Sequence, residues 1–312
     1  MPVKPVDLAG SKLLITGPTG QVALPVVEHF AKIADVFALA RFSKAEDRER
    51  ISALGAQVIQ ADLADPESML AVPEDIDYVL NFAVVKSGDF DYDLAANGEG
   101  VGYLMTRCRS AKAFLHFSST AVYEYAGHEP RAENSPLGDN HRVMFPTYSI
   151  AKIAAETVCR FVARQHKIPT TIARLSVPYG DNGGWMYFHM LMMQQGMPIE
   201  IHPEGPNEYN PLHVDDYIEK IPYLLGAATE DVTTVNFGGS QRVSIEDWCA
   251  YIGELTGFEP TFVENPKAFG SLAIDTTRMH DLIGPTRVDW REGIRSQLEH
   301  LAPDVLLDKA GS

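Results

Sequence analysis

The chain has 312 residues, 45% of them hydrophobic, and a formal net charge of −16. This length suffices for one large domain or two of moderate size, and the acidic balance argues against a nucleic-acid or anionic-membrane surface, which attract basic proteins. With three widely spaced cysteines, no apolar signal segment and no run of roughly eighteen apolar residues, the sequence predicts a cytoplasmic protein without disulfides or a membrane span.

The first half of the chain alternates short apolar runs with amphipathic stretches. The predicted strands are 12–15, 36–40, 57–60, 78–82, 113–117 and 170–175, and the predicted helices are 22–34, 47–54, 101–110 and 148–166. Strands separated by helices of this length imply right-handed crossovers between parallel strands. The sequence therefore predicts an α/β fold with a doubly wound parallel sheet of the Rossmann type.

Beyond residue 179 this alternation stops. We expect a loop over 180–184, an apolar helix over 185–195, a proline-rich stretch over 202–211, a strand near 235–237, and helices near 245–255 and 293–301. This half of the chain is typical of a smaller C-terminal lobe that covers the ends of the sheet. The methionine-rich helix over 185–193 is interpreted mainly as a core face, with a substrate wall as the alternative.

A glycine turn lies between the first predicted strand and the first predicted helix. Gly17 permits a tight turn, Gly20 lets the backbone approach a pyrophosphate, and the small Ala23 allows close packing of helix on strand. The helix N-terminus would offer free N–H groups to the phosphates. The turn indicates a dinucleotide site, although an ordinary strand–helix turn has the same residues.

The end of the second predicted strand bears on the choice of cofactor. An acidic residue there would bind a ribose 2′-hydroxyl, whereas an arginine accommodates a 2′-phosphate. Arg41 follows the strand, with Lys44 close behind, which favours NADP and leaves NAD open. The alternative is a solvated pair of surface cations. Asp62, after the third strand, either accepts from the adenine amino group or caps a helix.

Tyr148 and Lys152 stand four residues apart at the start of a predicted helix and therefore share one face. A phenol is a poor base at neutral pH, but a nearby positive charge favours its ionised form. Ser119 stands at the carboxyl end of the fifth strand, where ligands bind in this architecture. The three residues indicate hydride transfer between a carbonyl and a secondary alcohol. A surface Tyr–Lys pair is the alternative.

Through these residues the sequence resembles an extended short-chain dehydrogenase/reductase of the nucleotide-sugar epimerase and dehydratase group. This group is the NAD(P)-dependent epimerase/dehydratase family. The resemblance covers nearly the whole chain. Its motifs are the glycine turn, 81–83 with Lys86, 97–100, 118–123, Tyr148 and Lys152 with Glu156, 174–180, 213–216 and 275–278. It implies an NAD(P)-binding Rossmann domain over 1–179 with about 212–240, and a substrate-binding lobe over 180–211 and 241–312.

The resemblance also implies roles for individual residues. Tyr148 would be the acid/base, Lys152 would hold the nicotinamide ribose, and Ser119 would be the catalytic hydroxyl, with the neighbouring Thr120 as the alternative. Together with the glycine turn and the basic pair, the expected cofactor-binding residues are Gly17, Thr19, Gly20, Gln21, Val22, Arg41, Lys44, Asp62, Leu63, Phe82, Ala83, Lys86, Tyr148, Lys152 and Pro178. The expected substrate-binding residues are Lys86, Ser119, Thr120 and Tyr179. A homodimer is also implied.

Departures from the family pattern narrow the chemistry. Dehydrating members carry an Asp or Glu just after the catalytic Ser/Thr, where this chain has Thr120 and Ala121, so dehydration is disfavoured. Nucleotide-sugar members usually have an Asn and an Arg where this chain has Val177 and Tyr209. Two expected diphosphate contacts are therefore missing, unless Arg242 or Arg278 replaces them.

We expect an NADP(H)-dependent oxidoreductase that interconverts a carbonyl and a secondary alcohol on a small or moderately apolar substrate. A redox-neutral NAD(P)-dependent epimerase of a nucleotide sugar is the alternative, and a non-catalytic dinucleotide-sensing protein is a further one. The histidines at 189, 202 and 213 have no metal-ligand spacing, so no metal is expected. The expected partner is a small molecule, without nucleic acid or membrane.

Overall fold

The strands of the structure, a computed structural model that describes residues 3–307, form one large sheet and three small ones. In chain order they are β1 (Lys12–Thr16), β2 (Asp35–Ala40), β3 (Gln57–Gln60), β4 (Tyr78–Asn81), β5 (Ala113–Ser119), β6 (Thr170–Leu175), β7 (Pro178–Tyr179), β8 (Ile199–Ile201), β9 (Glu208–Tyr209), β10 (Leu212–His213), β11 (Thr233–Phe237), β12 (Val243–Ser244) and β13 (Phe262–Glu264). The seven-stranded sheet has the order β11-β6-β5-β4-β1-β2-β3, with every pair parallel. The predicted Rossmann-type parallel sheet is confirmed.

Helices cover both faces of this sheet. In chain order, the α-helices of the described residues are α1 (Ala23–Phe30), α2 (Ala45–Ala53), α3 (Phe90–Leu94), α4 (Gly100–Arg107), α5 (Tyr148–His166), α6 (Trp185–Gln194), α7 (Val214–Gly226), α8 (Ile245–Thr256), α9 (Thr277–Ile283) and α10 (Trp290–Leu301). A π-helical segment, Ala95–Glu99, joins α3 to α4. No helix within residues 3–307 is long and apolar enough to cross a membrane.

The alternation of side chains along β1 shows how the sheet is buried. Leu13 and Ile15 face a core built with α1, α7 and α9, whereas Leu14 faces a second core built with α4 and α5. Successive side chains point to opposite faces of a strand, so a strand that is apolar at every position must be covered on both sides. This is the arrangement that the continuous apolar runs predict.

A third hydrophobic core lies in the C-terminal half and joins α6, α8 and α10. It includes the fully buried side chains of Trp248, Met186, Met190 and Ile294. The predicted division of the chain into two units stays a prediction, and its outer ends, residues 1–2 and 308–312, lie outside the described residues.

Helix α1 ends earlier than expected, and helices α3, α7 and α9 were not predicted. Helix α1 ends at Phe30 rather than at 34, and beyond it the N–H groups of Lys32 and Ile33 bond only three residues back, to the His29 and Phe30 carbonyls at 3.4 and 3.0 Å, as in a turn. Helix α7 was not predicted, since Pro222 stands inside it. His213 caps its start by accepting a hydrogen bond from the Asp215 N–H at 3.3 Å.

Candidate active site

The carboxyl ends of the sheet strands border two cavities. The nucleotide-side cavity, of about 280 Å³, is lined by Gly17, Thr19, residues 39–44, Asp47, residues 61–63 and residues 83–85. The reaction cavity, of about 420 Å³, is lined by Gln21, Val22, Lys86, residues 118–120, His141, Met144, Phe145, Tyr148, Leu175, Val177, Pro178, Trp185, Tyr209, Phe269 and Leu272. Ligands bind at this edge of open α/β sheets because the loops leave crevices there.

The glycine turn closes against the end of β4. Gly17 has a φ of +65°, and a Cβ atom there would stand 3.0 Å from the Ala83 Cα. The Thr16 hydroxyl accepts a hydrogen bond from the Ala83 N–H at 3.0 Å and donates to the Asn81 Oδ1 at 2.6 Å. Backbone therefore lines the cavity where a side chain would block it, which fits the close approach that a pyrophosphate requires.

Arg41 and Asp62, which both line the nucleotide-side cavity, are joined by hydrogen bonds through the Tyr92 hydroxyl. The Arg41 Nη1 donates to the Tyr92 hydroxyl at 2.8 Å, and that hydroxyl donates to the Asp62 Oδ2 at 3.1 Å. The other Asp62 oxygen accepts from the Ala64 N–H at 3.0 Å, so this carboxylate closes a local turn. Arg41 and Lys44 both line the cavity, as the binding of a 2′-phosphate by these residues would require.

Sequence reasoning missed several residues of this cavity. Phe42, Ser43 and Asp47 line it, as do Val84 and Val85 in the loop after β4. The predicted residue Phe82 does not bring its side chain there, since the ring stacks on Phe117 in the core at 3.8 Å between centroids. The backbone beside Phe82 still adjoins Gly17.

Tyr148 and Ser119 meet in the reaction cavity. Ser119 ends β5, is only 9% exposed, and its hydroxyl accepts from the Ala121 N–H at 3.1 Å. Burial raises the pKa of Tyr148, while the hydrogen bond with Ser119 acts in the opposite direction. In the protein alone the phenol is therefore an acid rather than a base, and the lowering expected from positive charge has to come with a bound cofactor.

Lys152 lies one helical turn beyond Tyr148 and is 4% exposed. Its ammonium donates to the Phe117 carbonyl on β5 at 2.7 Å. Its pKa is lowered to about 8, mainly by burial; Glu156 opposes this lowering and Lys86 adds to it. The predicted pair is thus on one helix face, with the amine held against the strand that carries Ser119.

A buried ion pair holds α5 against the sheet. Glu156 accepts from the Arg174 Nε and Nη2 of β6 at 2.9 and 2.8 Å, and from the Ser118 hydroxyl of β5 at 2.6 Å. Arg174 holds the pKa of Glu156 below its ordinary value, even though burial alone would raise it. These contacts keep Tyr148 and Lys152 in register with Ser119.

The remaining wall of the reaction cavity is largely aromatic. Trp185 opens α6 and packs edge-on against Tyr209 at 5.1 Å between centroids. The Lys86 ammonium lies 4.7 Å from the centre of the Phe145 ring and 5.6 Å from that of Tyr148. Sequence reasoning did not identify the other wall residues, because loops bring them there: His141, Met144, Phe145, Phe269 and Leu272.

The residues that depart from the family pattern have other partners. The Tyr209 hydroxyl donates to the Gly270 carbonyl at 2.7 Å, and Arg242 forms an ion pair with Glu208. Arg278 lies at the start of α9 and borders neither cavity. Val177 lines the reaction cavity with a φ of +29°, a conformation that Asn adopts more readily than a β-branched residue.

Two further expectations concern Tyr179 and metal binding. Tyr179 is 1% exposed and belongs to the core around Trp248, so the structure does not bring it to the reaction cavity. Thr120, also expected at the substrate, does line it. Within residues 3–307 no group of three His, Cys, Asp or Glu side chains is placed to hold a metal ion.

Known proteins share the sequence pattern and the fold of this chain. The sequence model of the NAD dependent epimerase/dehydratase family matches residues 13–238. A trifunctional UDP-glucose 4,6-dehydratase/UDP-4-keto-6-deoxy-D-glucose 3,5-epimerase/UDP-4-keto-L-rhamnose-reductase of Arabidopsis thaliana is 24% identical over 92% of this chain and 46% of its own length. The chain therefore spans about half of that relative.

A second relative and one solved structure are similar along most of their lengths. An uncharacterized UDP-glucose epimerase of Bacillus subtilis is 26% identical over 83% of this chain and 86% of its own. The UDP-glucuronic acid 4-epimerase of Bacillus cereus, crystallised with UDP-glucuronic acid and NAD, superimposes with a TM-score of 0.77 at 20% identity, covering 92% of this chain and 98% of that one. The resemblance drawn from the motifs is confirmed, and with it the prediction of an enzyme.

Proposed function

The chain belongs to the NAD dependent epimerase/dehydratase family, and we propose that it is a redox-neutral epimerase that inverts one secondary-alcohol carbon of a nucleotide sugar. The observation that carries this proposal is that Tyr148 and Ser119 line one cavity, Lys152 follows one helical turn beyond Tyr148, and Thr120 and Ala121 follow Ser119. The first three residues suit reversible oxidation of an alcohol. The last two cannot serve as the acid or base of an elimination.

Each catalytic side chain has one task in this scheme. A bound nicotinamide would supply reversible hydride transfer to and from the alcohol carbon. Tyr148 accepts the hydroxyl proton during oxidation and donates it back during reduction, while the Ser119 hydroxyl donates to the developing oxyanion. Lys152, held by the Phe117 carbonyl, would bind the nicotinamide ribose, and the positive charge that favours the phenolate would come with the bound cofactor. Inversion requires the intermediate to present its other face before it is reduced.

A second candidate is net reduction or oxidation of a moderately apolar carbonyl compound, the function favoured by the sequence. The aromatic wall supports it, since Trp185, Tyr209 and Phe269 offer apolar surface. The Tyr209 hydroxyl and Arg242 are also engaged with groups of the protein, so neither is free for a diphosphate. The UDP-sugar relatives favour the epimerase over this candidate.

The two candidates are separated by product analysis. The purified enzyme is incubated with UDP-glucose and a substoichiometric amount of NADP or NAD, and the sugars are resolved by chromatography. An epimerase converts more sugar than the cofactor present and accumulates little reduced cofactor. A net dehydrogenase stops when the cofactor is consumed, and absence of conversion together with steady NADPH consumption on an apolar ketone would establish the second candidate.

Positive side chains that line the nucleotide-side cavity favour NADP over NAD as the cofactor. Arg41 and Lys44 line that cavity, and no acidic residue stands at the end of β2 to bind a ribose 2′-hydroxyl. Ser43, between them, adds a hydroxyl donor. These residues would hold a 2′-phosphate, with the Tyr92 hydroxyl keeping Arg41 in place.

The roles of the two parts of the chain and its oligomeric state are proposed from the same family pattern. The sheet domain, 1–179 with 212–240, would bind the cofactor, and the lobe would bind the substrate. Two copies would pair through α4 and α5, where Tyr103 and Phe161 are 37% and 66% exposed. Light scattering should show a dimer for the wild type and a monomer for Phe161→Glu.

A further inference from the structure

His141 lines the reaction cavity and has no task in the mechanism above. Its ring stacks on Phe269, with 4.2 Å between centroids and 24° between planes. On another side, its centroid lies 5.9 Å from that of Tyr148. A ring fixed by stacking and adjacent to the catalytic phenol is within reach of a substrate held by that phenol.

Neighbouring groups determine which imidazole nitrogen carries the proton. The Asn140 amide donates through Nδ2 to the Tyr123 carbonyl at 2.9 Å, which leaves its Oδ1 beside the His141 Nδ1. An amide oxygen only accepts hydrogen bonds, so Nδ1 carries the proton and donates it. Nε2 then holds a lone pair, and within residues 3–307 it has no hydrogen-bond partner.

The imidazole is also neutral at physiological pH. Burial lowers the pKa of His141 to about 4, and the Lys86 ammonium contributes in the same direction. A neutral ring with its proton on Nδ1 presents an acceptor, but no donor, at Nε2. This complements the other polar groups of the wall, because the Lys86 ammonium only donates and the phenol and Ser119 serve the reacting oxygen.

We propose that His141 Nε2 accepts a hydrogen bond from a substrate hydroxyl on the carbon next to the reacting one, and thereby selects substrates with adjacent hydroxyls. The inference rests on the proposed function, since a sugar ring supplies such a pair of hydroxyls. It makes His141 a specificity-determining residue that binds substrate without exchanging a proton.

The test combines two enzymes with two probes. The wild type and His141→Phe, which keeps the stacking on Phe269, are compared on UDP-glucose and on its 3-deoxy-3-fluoro analogue, whose fluorine cannot donate. With reaction at C4, the wild type should prefer UDP-glucose about tenfold in kcat/KM, the value of one hydrogen bond, and His141→Phe should lose that preference. His202→Phe, at a histidine outside the reaction cavity, is the matched control and should retain it.

Nitrogen NMR of the labelled imidazole gives a readout that does not depend on activity. It should show an unprotonated Nε2 in the free enzyme, and a proton on Nε2 would overturn the inference. Equal kcat/KM of the wild type for both probes, or an unchanged preference in His141→Phe, would overturn it as well. Failure of the wild type to oxidise or epimerise UDP-glucose would instead overturn the proposed function.

Discussion

Glu156 of the catalytic helix and Arg174 of β6 form a bidentate ion pair in which both side chains are almost fully buried, 2% and 3% exposed. Their hydrogen bonds are 2.9 and 2.8 Å long. The pair lies one turn beyond Lys152 and joins the helix to the two strands that border the reaction cavity. Removing either partner leaves the other as an uncompensated charge in the interior.

Glu156→Gln is therefore expected to lower the free energy of unfolding by about 3 kcal/mol, since it keeps the shape of the side chain but leaves Arg174 unpaired. Urea titration measures the change. Arg160→Met, at a partner of the same carboxylate that is 28% exposed, should cost less than half as much. Because Arg174 lowers the pKa of Glu156, the wild-type advantage should fade as the pH falls through that lowered pKa.

Gly17→Ala tests the glycine turn against a matched glycine. Gly10 has the same φ of +65° as Gly17, but a Cβ at Gly10 would meet nothing within 4 Å. Both substitutions should carry the left-handed penalty of about 1 kcal/mol. Only Gly17→Ala also forces a Cβ against the Ala83 backbone, so it should destabilise by about 1 kcal/mol more and weaken cofactor binding more than tenfold. Equal effects on cofactor affinity would contradict a role for this turn.

Local sequence was sufficient to predict the sheet and the helix of Tyr148 and Lys152. Each sheet strand is a short segment that includes buried apolar residues, and α5 spans 148–166 as predicted. Spacing along one helix also places Tyr148 beside Lys152, and parallel strand order places Ser119 at the same edge. These relations depend on periodicities that a single chain displays directly.

The opposite wall of the reaction cavity could not be predicted in this way. Phe269 lies 121 positions beyond Tyr148 (269 − 148) in an irregular loop, and no periodicity links the two. Trp185 belongs to a helix whose methionines Met186 and Met190 are buried, as predicted for a core face, yet its first residue lines the cavity. The structure does not bring Tyr179 to the reaction cavity, contrary to the prediction that it binds substrate. Its position next to Pro178 in the sequence does not determine the face to which its side chain points.

Arg41→Ala tests the cofactor preference. Loss of the guanidinium should weaken NADP binding about 10- to 100-fold, as expected for a charge-assisted bond to phosphate, and change NAD binding less than threefold. Isothermal titration calorimetry measures both affinities. Arg48→Ala is the control, because Arg48 lies on α2 outside the cavity and should leave both affinities unchanged. Equal losses for NADP and NAD would refute 2′-phosphate binding.

Lys152→Met is expected to reveal the cost of burying an ammonium. The folded-state pKa of Lys152, about 8, lies below the ordinary 10.5, so the unfolded chain binds more protons between these values. The stability of the wild type should then rise with pH relative to Lys152→Met, by up to about 1.4 kcal/mol per pH unit between pH 8 and 10.5. Guanidinium unfolding of both proteins across this pH range measures the slope. A stability difference that does not change with pH would show that the pKa of Lys152 is not lowered.

Tyr148→Phe separates catalysis from binding at the centre of the site. The ring and its contact with the Lys86 ammonium are retained, so cofactor affinity and melting temperature should change little. The variant lacks the acid/base and an oxyanion partner, so kcat should fall by about three to four orders of magnitude, with KM within a fewfold of wild type. Tyr103→Phe, at an exposed phenol on α4, is the matched control and should keep full activity. A Tyr148→Phe enzyme within tenfold of the wild-type kcat would mean that another group carries the proton.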